Sequence, residues 1–245
     1  MNIVIIGATG GIGSCLSQHL AKSHNLFIGS RNLNEIVDLT SILDQKNLKN
    51  KVGCEVVDVQ NNESIKNMFY KAEEFLGSID CIINSSGSLL LKPAHLTNEL
   101  ELENVFRTNV FSCFGILKYG FKYLRKNGGS LIFFSSSASK VGLKNHEAIA
   151  SAKAAVSGFV LSAASTYAKY NIRVNAIAPG LVDTPLTEKI INNKISLDYS
   201  AKMHGLNRIG KPDNFIPIID SLIDSRSDWI TGQTFCIDGG LSNIK

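Results

Sequence analysis

A chain of 245 residues, 44% hydrophobic and 19% charged, can bury an ample core and has an ordinary globular composition, which excludes disordered and fibrous classes. The formal charge of +4 is modest, and the longest basic cluster (Lys122, Arg125, Lys126) reads as a solvated helix face, so no nucleic-acid partner is expected. Five cysteines (Cys15, Cys54, Cys81, Cys113, Cys236), without a CxxC pair, point away from disulfides and metal sites and toward free thiols in a reducing cytoplasm.

The first apolar run, Asn2 to Ile6, is too short for a signal-peptide core or a membrane span; it reads as strand one (Ile3 to Ile6), and no membrane association is expected. Gly7-Ala8-Thr9-Gly10-Gly11-Ile12-Gly13 follows at once, then an amphipathic stretch from Ser14 to Lys22. Glycines between a strand and a helix let backbone amides and the positive helix end approach a diphosphate, the mark of a dinucleotide site. Strand two, Leu26 to Gly29, leads into Ser30 and Arg31, where a carboxylate would bind an adenosine ribose 2′-hydroxyl. Ser30 and Arg31 instead offer donors to a 2′-phosphate, which favours NADP(H) over NAD(H). The alternative is that Arg31 stacks on adenine, and Gly10 stands where a second basic residue would strengthen the phosphate site.

Further strands are expected at Val52 to Val57, Cys81 to Asn84, Ser130 to Ser135, Arg173 to Ile177 and Thr234 to Ile237. Helices should begin near Gly11, Leu33, Asn62, Glu99, Ala148, Pro185 and Pro212, with Asn98 and Glu101 capping the fourth and Pro212-Asp213 opening the last. Strands alternating with helices predict one domain, an α/β Rossmann-type doubly wound parallel sheet covered on both faces. The one loose tract, residues 187–211, reads either as a mobile substrate lid or as a surface insertion. Apolar segments at Ser88 to Leu91, Val141 to Leu143 and Leu181-Val182 suit an apolar or mixed small-molecule substrate, or ordinary packing.

Gly7, Gly11 and Gly13 stand at GxxxGxG spacing. Asn84-Ser85-Ser86-Gly87 follows strand four, Pro179-Gly180 follows strand six, and Thr231-Gly232-Gln233 and Asp238-Gly239-Gly240 lie near the carboxy terminus. On these motifs the sequence resembles the short-chain dehydrogenase/reductase family over nearly its whole length. The resemblance implies a seven-stranded sheet in the order 3-2-1-4-5-6-7 with the nicotinamide at the carboxyl ends of the strands. It also implies a homodimer or homotetramer formed through the fourth and fifth helices and the final strand. The small-residue face of Ala152 to Ala164 permits such packing, or packing within one chain. The expected cofactor contacts are Gly7, Thr9, Gly10, Gly11, Ile12, Gly13, Ser30, Arg31, Asp58, Val59, Asn84, Ser86, Gly87, Lys153, Pro179, Gly180, Val182 and Thr184.

Members of the family reduce a carbonyl with a serine that orients the oxygen, a tyrosine that gives the proton, a lysine that holds the ribose, and a supporting asparagine. Asn109 and Lys153 match the last two, and Ser136 best fits the serine by its offsets from both, with Ser135 and Ser137 as alternatives. Four residues before Lys153, where the tyrosine belongs, stands Ile149. Isoleucine has no proton to give, a deficit of about 10²- to 10⁴-fold. Positioning substrate against the nicotinamide still contributes about 7–11 kcal/mol. The expected function is therefore an NADP(H)-dependent oxidoreductase of small molecules with an unusual proton donor; the alternative is a cofactor-binding pseudoenzyme, sensor or partner subunit without turnover. His146 is the first donor candidate, with Glu147 and Tyr199 behind it. Against these roles, Glu147 also suits dipole stabilisation at a helix start and His146 a surface loop.

Overall fold

The structure, a computed structural model, describes residues 1–44 and 49–244. Seven strands, β1 (Asn2–Ile6), β2 (Asn25–Ser30), β3 (Val52–Val56), β4 (Cys81–Asn84), β5 (Gly129–Phe134), β6 (Ile172–Pro179) and β7 (Thr234–Ile237), form one parallel sheet in the order β3-β2-β1-β4-β5-β6-β7. The order and the Rossmann-type doubly wound class are those expected. Strand β1 explains the layering. Successive side chains point to opposite faces, so Ile3 and Ile5 join one core cluster while Val4 and Ile6 join the other. An unbroken apolar run is what a strand buried on both faces requires, each such side chain contributing roughly 1.5–3 kcal/mol.

The first cluster takes Leu16 and Leu20 from α1 (Gly11–Leu20), Ile36, Leu39 and Leu43 from α2 (Leu33–Asp44), and Ile219 and Leu222 from α9 (Ile216–Ile223). The opposite cluster takes Ile65, Met68 and Phe69 from α3 (Asn62–Leu76), Ile116 and Leu117 from α5 (Ser112–Leu124), and Val156 and Val160 from α6 (Glu147–Tyr167). Although long and apolar enough to cross a bilayer, α6 lays Ala152, Val156, Val160, Ala163 and Ala164 into the interior of this chain. Its small-residue face is thus used in packing within the chain. Leu161, on its other side, is exposed.

Local signals set the boundaries. Asn61 caps α3 by accepting from the amides of Glu63 and Ser64, and Gly77, with φ of 81°, ends it. The expected Asn98–Glu101 capping box opens α4 (Glu99–Phe106). The single fourth helix expected from Glu99 is instead interrupted by a π-helical turn, Arg107–Phe111, before α5. Strand β5 ends at Phe134, one residue early, because the chain enters the turn Ser137–Ser139, whose cap is Ser136. Strand β3 stops at Val56, one residue short of the expected end, and β6 runs on to Pro179, where β7 still offers a neighbour in Ile237. Pro185 and Pro212 open short 3₁₀ turns rather than helices, the second leading into α9.

The tract 187–211 is mostly helical, holding α7 (Glu188–Ile191) and α8 (Lys194–Met203). Its base is closed where Asp183 N donates to Gly210 O (3.0 Å) and Gly210 N to Leu181 O (2.8 Å). Composition misleads here because both helices are short and largely solvated, so polar residues dominate them.

Candidate active site

Strand register brings the site together. Ile6 lies beside both Gly29 and Asn84, Asn84 beside Phe133, and Phe134 beside Ile177, so the segments after β1, β2, β4, β5 and β6 leave the sheet along one rim. The strand order reverses at β1, which opens a crevice at its carboxyl end. Gly7 fills the mouth of that crevice with φ of 81°; a Cβ there would sit 2.5 Å from Ser86 N. Gly11 abuts the segment after β6, where a Cβ would sit 2.6 Å from Thr184 Cγ2. Gly10 is the cap of α1 and has no side chain to block its end, while Ser14 N makes the helical bond to Gly10 O (2.7 Å). The amides of Gly11, Ile12 and Gly13 precede the regular ladder and are available to an anion. Ile12 turns its side chain onto the core, so only its backbone can serve a ligand. This cradle fits the diphosphate of a dinucleotide.

At the end of β2 the Thr9 and Ser30 hydroxyls share a hydrogen bond of 2.6 Å, a link between the glycine turn and the second strand that spacing did not suggest. Arg31 is exposed beside them. Asp58 is exposed after β3, accepting from Gln60 N and donating its own amide to Ser64 Oγ (both 3.0 Å), with Val59 buried next to it.

The remaining candidates gather after β4, β5 and β6. Ser86 Oγ donates to Asn84 Oδ1 (2.5 Å), and Ser85, absent from the expected contacts, ties this loop to β1 by donating to Ile6 O (3.0 Å). The π turn carries Asn109 into the interior, where Nδ2 donates to Val105 O (2.9 Å) and Ser88 Oγ (3.0 Å). Lys153 is buried and its Nζ donates to Phe134 O (2.8 Å). Burial pulls its ammonium from the usual 10.5 down to about 8, with the neighbouring Cys113 as a smaller influence in the opposite direction. The Cys113 thiol is itself pushed up to about 11 by burial. Nζ and Asn109 Oδ1 both face Gly87, lying 3.5 and 3.1 Å from where a Cβ on it would stand.

The three serines after β5 behave differently. Ser135 is buried, donating to Lys153 O (2.8 Å), and Ser137 is buried, donating to Asp238 Oδ2 (2.7 Å). Ser136 is half-buried and its oxygen accepts from Ala138 N (3.1 Å), which leaves its hydrogen for another acceptor. Ile149 is buried among Val105, Val110 and Ala152. His146 sits half-buried at the cap of α6, its Nδ1 donating to Lys144 O (2.7 Å). Glu147 is exposed in the first turn of α6, and Tyr199 is exposed on α8.

Two residues beyond the expected set hold the far wall. His204, buried, donates from Nδ1 to Ser200 O (2.7 Å) and accepts Leu181 N at Nε2 (3.1 Å); its ring lies against Gly180 and thereby fixes the Pro179-Gly180 segment to α8. No spacing signal marks it. Asp238, inside a motif the sequence displays, receives Ser137 Oγ, Ser242 Oγ and the Gly240 amide. Val182 is buried and Thr184 Oγ1 bonds Thr187 Oγ1 (3.1 Å), so both shape the segment over Gly11.

Residues 7–242 match the family model described as enoyl-(acyl carrier protein) reductase. A 3-oxoacyl-[acyl-carrier-protein] reductase of Thermotoga maritima is 30% identical over 241 residues, 97% of this chain and 96% of its own length. A chloroplastic tropinone reductase homolog of Arabidopsis thaliana is 30% identical over 245 residues, 99% of this chain and 76% of its own. Among solved structures the chain is similar to ElxO with NADP bound, at 26% identity, a TM-score of 0.88 and 98% coverage of each chain. With the glycine turn, the rim of strand ends and the Asn109–Lys153 pair in a sheet of this order, the chain belongs to the short-chain dehydrogenase/reductase family of oxidoreductases.

Proposed function

We propose that this protein is an NADP(H)-dependent oxidoreductase that moves hydride between the nicotinamide and a carbon of a small carbonyl compound or alcohol, with a proton donor other than tyrosine. The observation that carries this reading is the convergence of Lys153 Nζ and Asn109 Oδ1 on Gly87, one helical turn from Ile149. The amides at the start of α1 and the NADP held by the similar ElxO support a nicotinamide dinucleotide. Ser30 and Arg31, with no carboxylate at the end of β2, support a 2′-phosphate. In this reading α7 and α8 form a lid over the substrate, and the exposed Ile195 and Tyr199 of α8 accord with an apolar one. Exposed Phe111, Phe114 and Leu161 suit a homodimer or homotetramer interface, and the free thiols accord with the cytoplasm.

The test uses NADPH carrying deuterium at the transferable position and a panel of ketones, with products read by mass spectrometry. Deuterated alcohol is the expected result, together with tighter binding of NADPH than of NADH in calorimetry. Buried, apolar Ile149 favours one second reading, a cofactor-binding protein without turnover. Binding of NADPH with no deuterium in any product decides for that alternative.

A further inference from the structure

We infer that His204 is the positioning residue of the substrate lid, the buried clasp that fastens α8 to Gly180 and Leu181; the assignment rests on the reading above, in which α7 and α8 cover the substrate. Across residues 186–210 the buried residues are Ser200 and His204. No apolar residue of this tract is buried, and Leu186, Ile195, Tyr199 and Leu206 are exposed. Ile195 and Tyr199, four residues apart on α8, share an uncovered face. A short helix that puts no apolar face into the core has little packing to hold it, so its position depends on polar contacts.

His204 supplies two such contacts, and their partners fix its chemistry. The Ser200 carbonyl can only accept, so Nδ1 carries the hydrogen across 2.7 Å; the Leu181 amide can only donate, so Nε2 presents its lone pair across 3.1 Å. The ring is therefore the neutral Nδ1–H tautomer. Ser200 O lacks a helical donor at the end of α8, because His204 N bonds Ala201 O instead (3.1 Å). One imidazole thus closes the end of the helix and ties it to the chain leaving β6. Gly180 admits the ring, since a Cβ there would stand 2.5 Å from Nε2.

The two sides of the clasp differ in what else holds them. Gly180 N donates to Ile237 O (3.3 Å), Gly210 N to Leu181 O (2.8 Å) and Asp183 N to Gly210 O (3.0 Å), and Val182 is buried, so residues 180–183 keep their place without the ring. The chain after α8 is held as well, where Leu206 N donates to Gly239 O (2.9 Å). Among the described residues α8 itself has no second polar anchor; its other bonds, such as Ser196 N to Asn193 Oδ1 (3.0 Å), are local. Loss of the Leu181 bond should therefore free α8 and spare the dinucleotide cradle, which puts substrate affinity, rather than cofactor affinity, under the control of His204.

The test compares full-length His204→Asn, which keeps a donor for Ser200 O but has no acceptor that reaches Leu181 N, with His204→Gln, which keeps that acceptor. With NADPH and 2-decanone, His204→Asn should raise KM by about tenfold, as loss of one buried hydrogen bond implies, with kcat and the calorimetric affinity for NADPH within about threefold of native; His204→Gln should recover most of the native KM. Two readouts need no turnover. Trypsin should cut His204→Asn at Lys194 or Lys202 about tenfold faster than native protein or His204→Gln, because α8 opens locally. The long-range ¹H–¹⁵N signals of native protein that vanish in His204→Gln should report an Nδ1–H imidazole. Should His204→Asn not fold, His204→Leu, which keeps the bulk and loses both bonds, takes its place. An Nε2–H ring in native protein, native KM and native cleavage in His204→Asn, a loss of NADPH affinity as deep as the rise in KM, or failure of His204→Gln to restore cleavage resistance overturns the assignment while the oxidoreductase reading stands. If native protein binds NADPH but reduces no ketone, the oxidoreductase reading falls, and cleavage and tautomer alone decide the clasp.

Discussion

Replacing Lys153 with methionine tests whether the buried ammonium stores a penalty in the fold. A fall from 10.5 to about 8 means that the folded protein binds its proton less tightly than the unfolded chain does. At about 1.4 kcal/mol per tenfold change, the charged form is disfavoured on folding by about 3 kcal/mol. The sign follows from linkage. Between about 8 and 10.5 the unfolded chain carries more protons, so stability rises with pH through that window and the full penalty is present below it. Methionine keeps most of the side-chain volume and removes the charge, but forfeits the bond to Phe134 O, worth about 1 kcal/mol. The net gain at pH 7 is about 2 kcal/mol, or about 4–8 °C in Tm for a chain of this size. Thermal melts of native and Lys153→Met apo protein at pH 7 and pH 10.5 measure it, with the gap closing at the higher pH. A variant that is no more stable at pH 7, or whose advantage is independent of pH, refutes the reasoning. The same substitution should abolish ketone reduction, so stability and activity would move in opposite directions.

Three further outcomes follow from named contacts. Arg31→Ala should weaken NADPH by about 10- to 100-fold, as loss of a charge-assisted bond implies, and leave NADH within about twofold in calorimetry. Ile149→Tyr inserts a larger side chain among Val105, Val110 and Ala152, so chemical denaturation should show a loss of about 1–3 kcal/mol; on the proposed function ketone reduction should nonetheless rise, since a phenol would then stand one helical turn before Lys153. Burial opposes the charge on Asp238, but hydrogen bonds from Ser242, Ser137 and Gly240 prevail and hold its carboxyl below the ordinary range. Its stabilisation is therefore complete above the unfolded value and lost as pH falls through the folded one. Asp238→Asn should cost about 1–3 kcal/mol at pH 7 and flatten that acid dependence in denaturation curves.

The strands and the glycine turn were legible in residue order because their causes are local. Ile3 to Ile6 is apolar throughout because it is buried on two faces, Gly7 takes a positive φ and carries no Cβ to strike Ser86, and Asn98 with Glu101 is a cap wherever a helix starts. Asn109 and Lys153 could be picked out by spacing, and so could Ile149, four residues before the lysine. Tertiary structure decided what those side chains meet. The π turn that swings Asn109 inward, the helices within 187–211 and the choice of Ser135 and Ser137 as buried donors depend on partners distant in sequence. So does His204, which bonds a backbone amide 23 residues away and has no motif to announce it. The acidity of Lys153 has the same origin: no sequence pattern encodes desolvation, which arises only when β5, α5 and α6 close around one ammonium and leave it a carbonyl, a neutral thiol and little water.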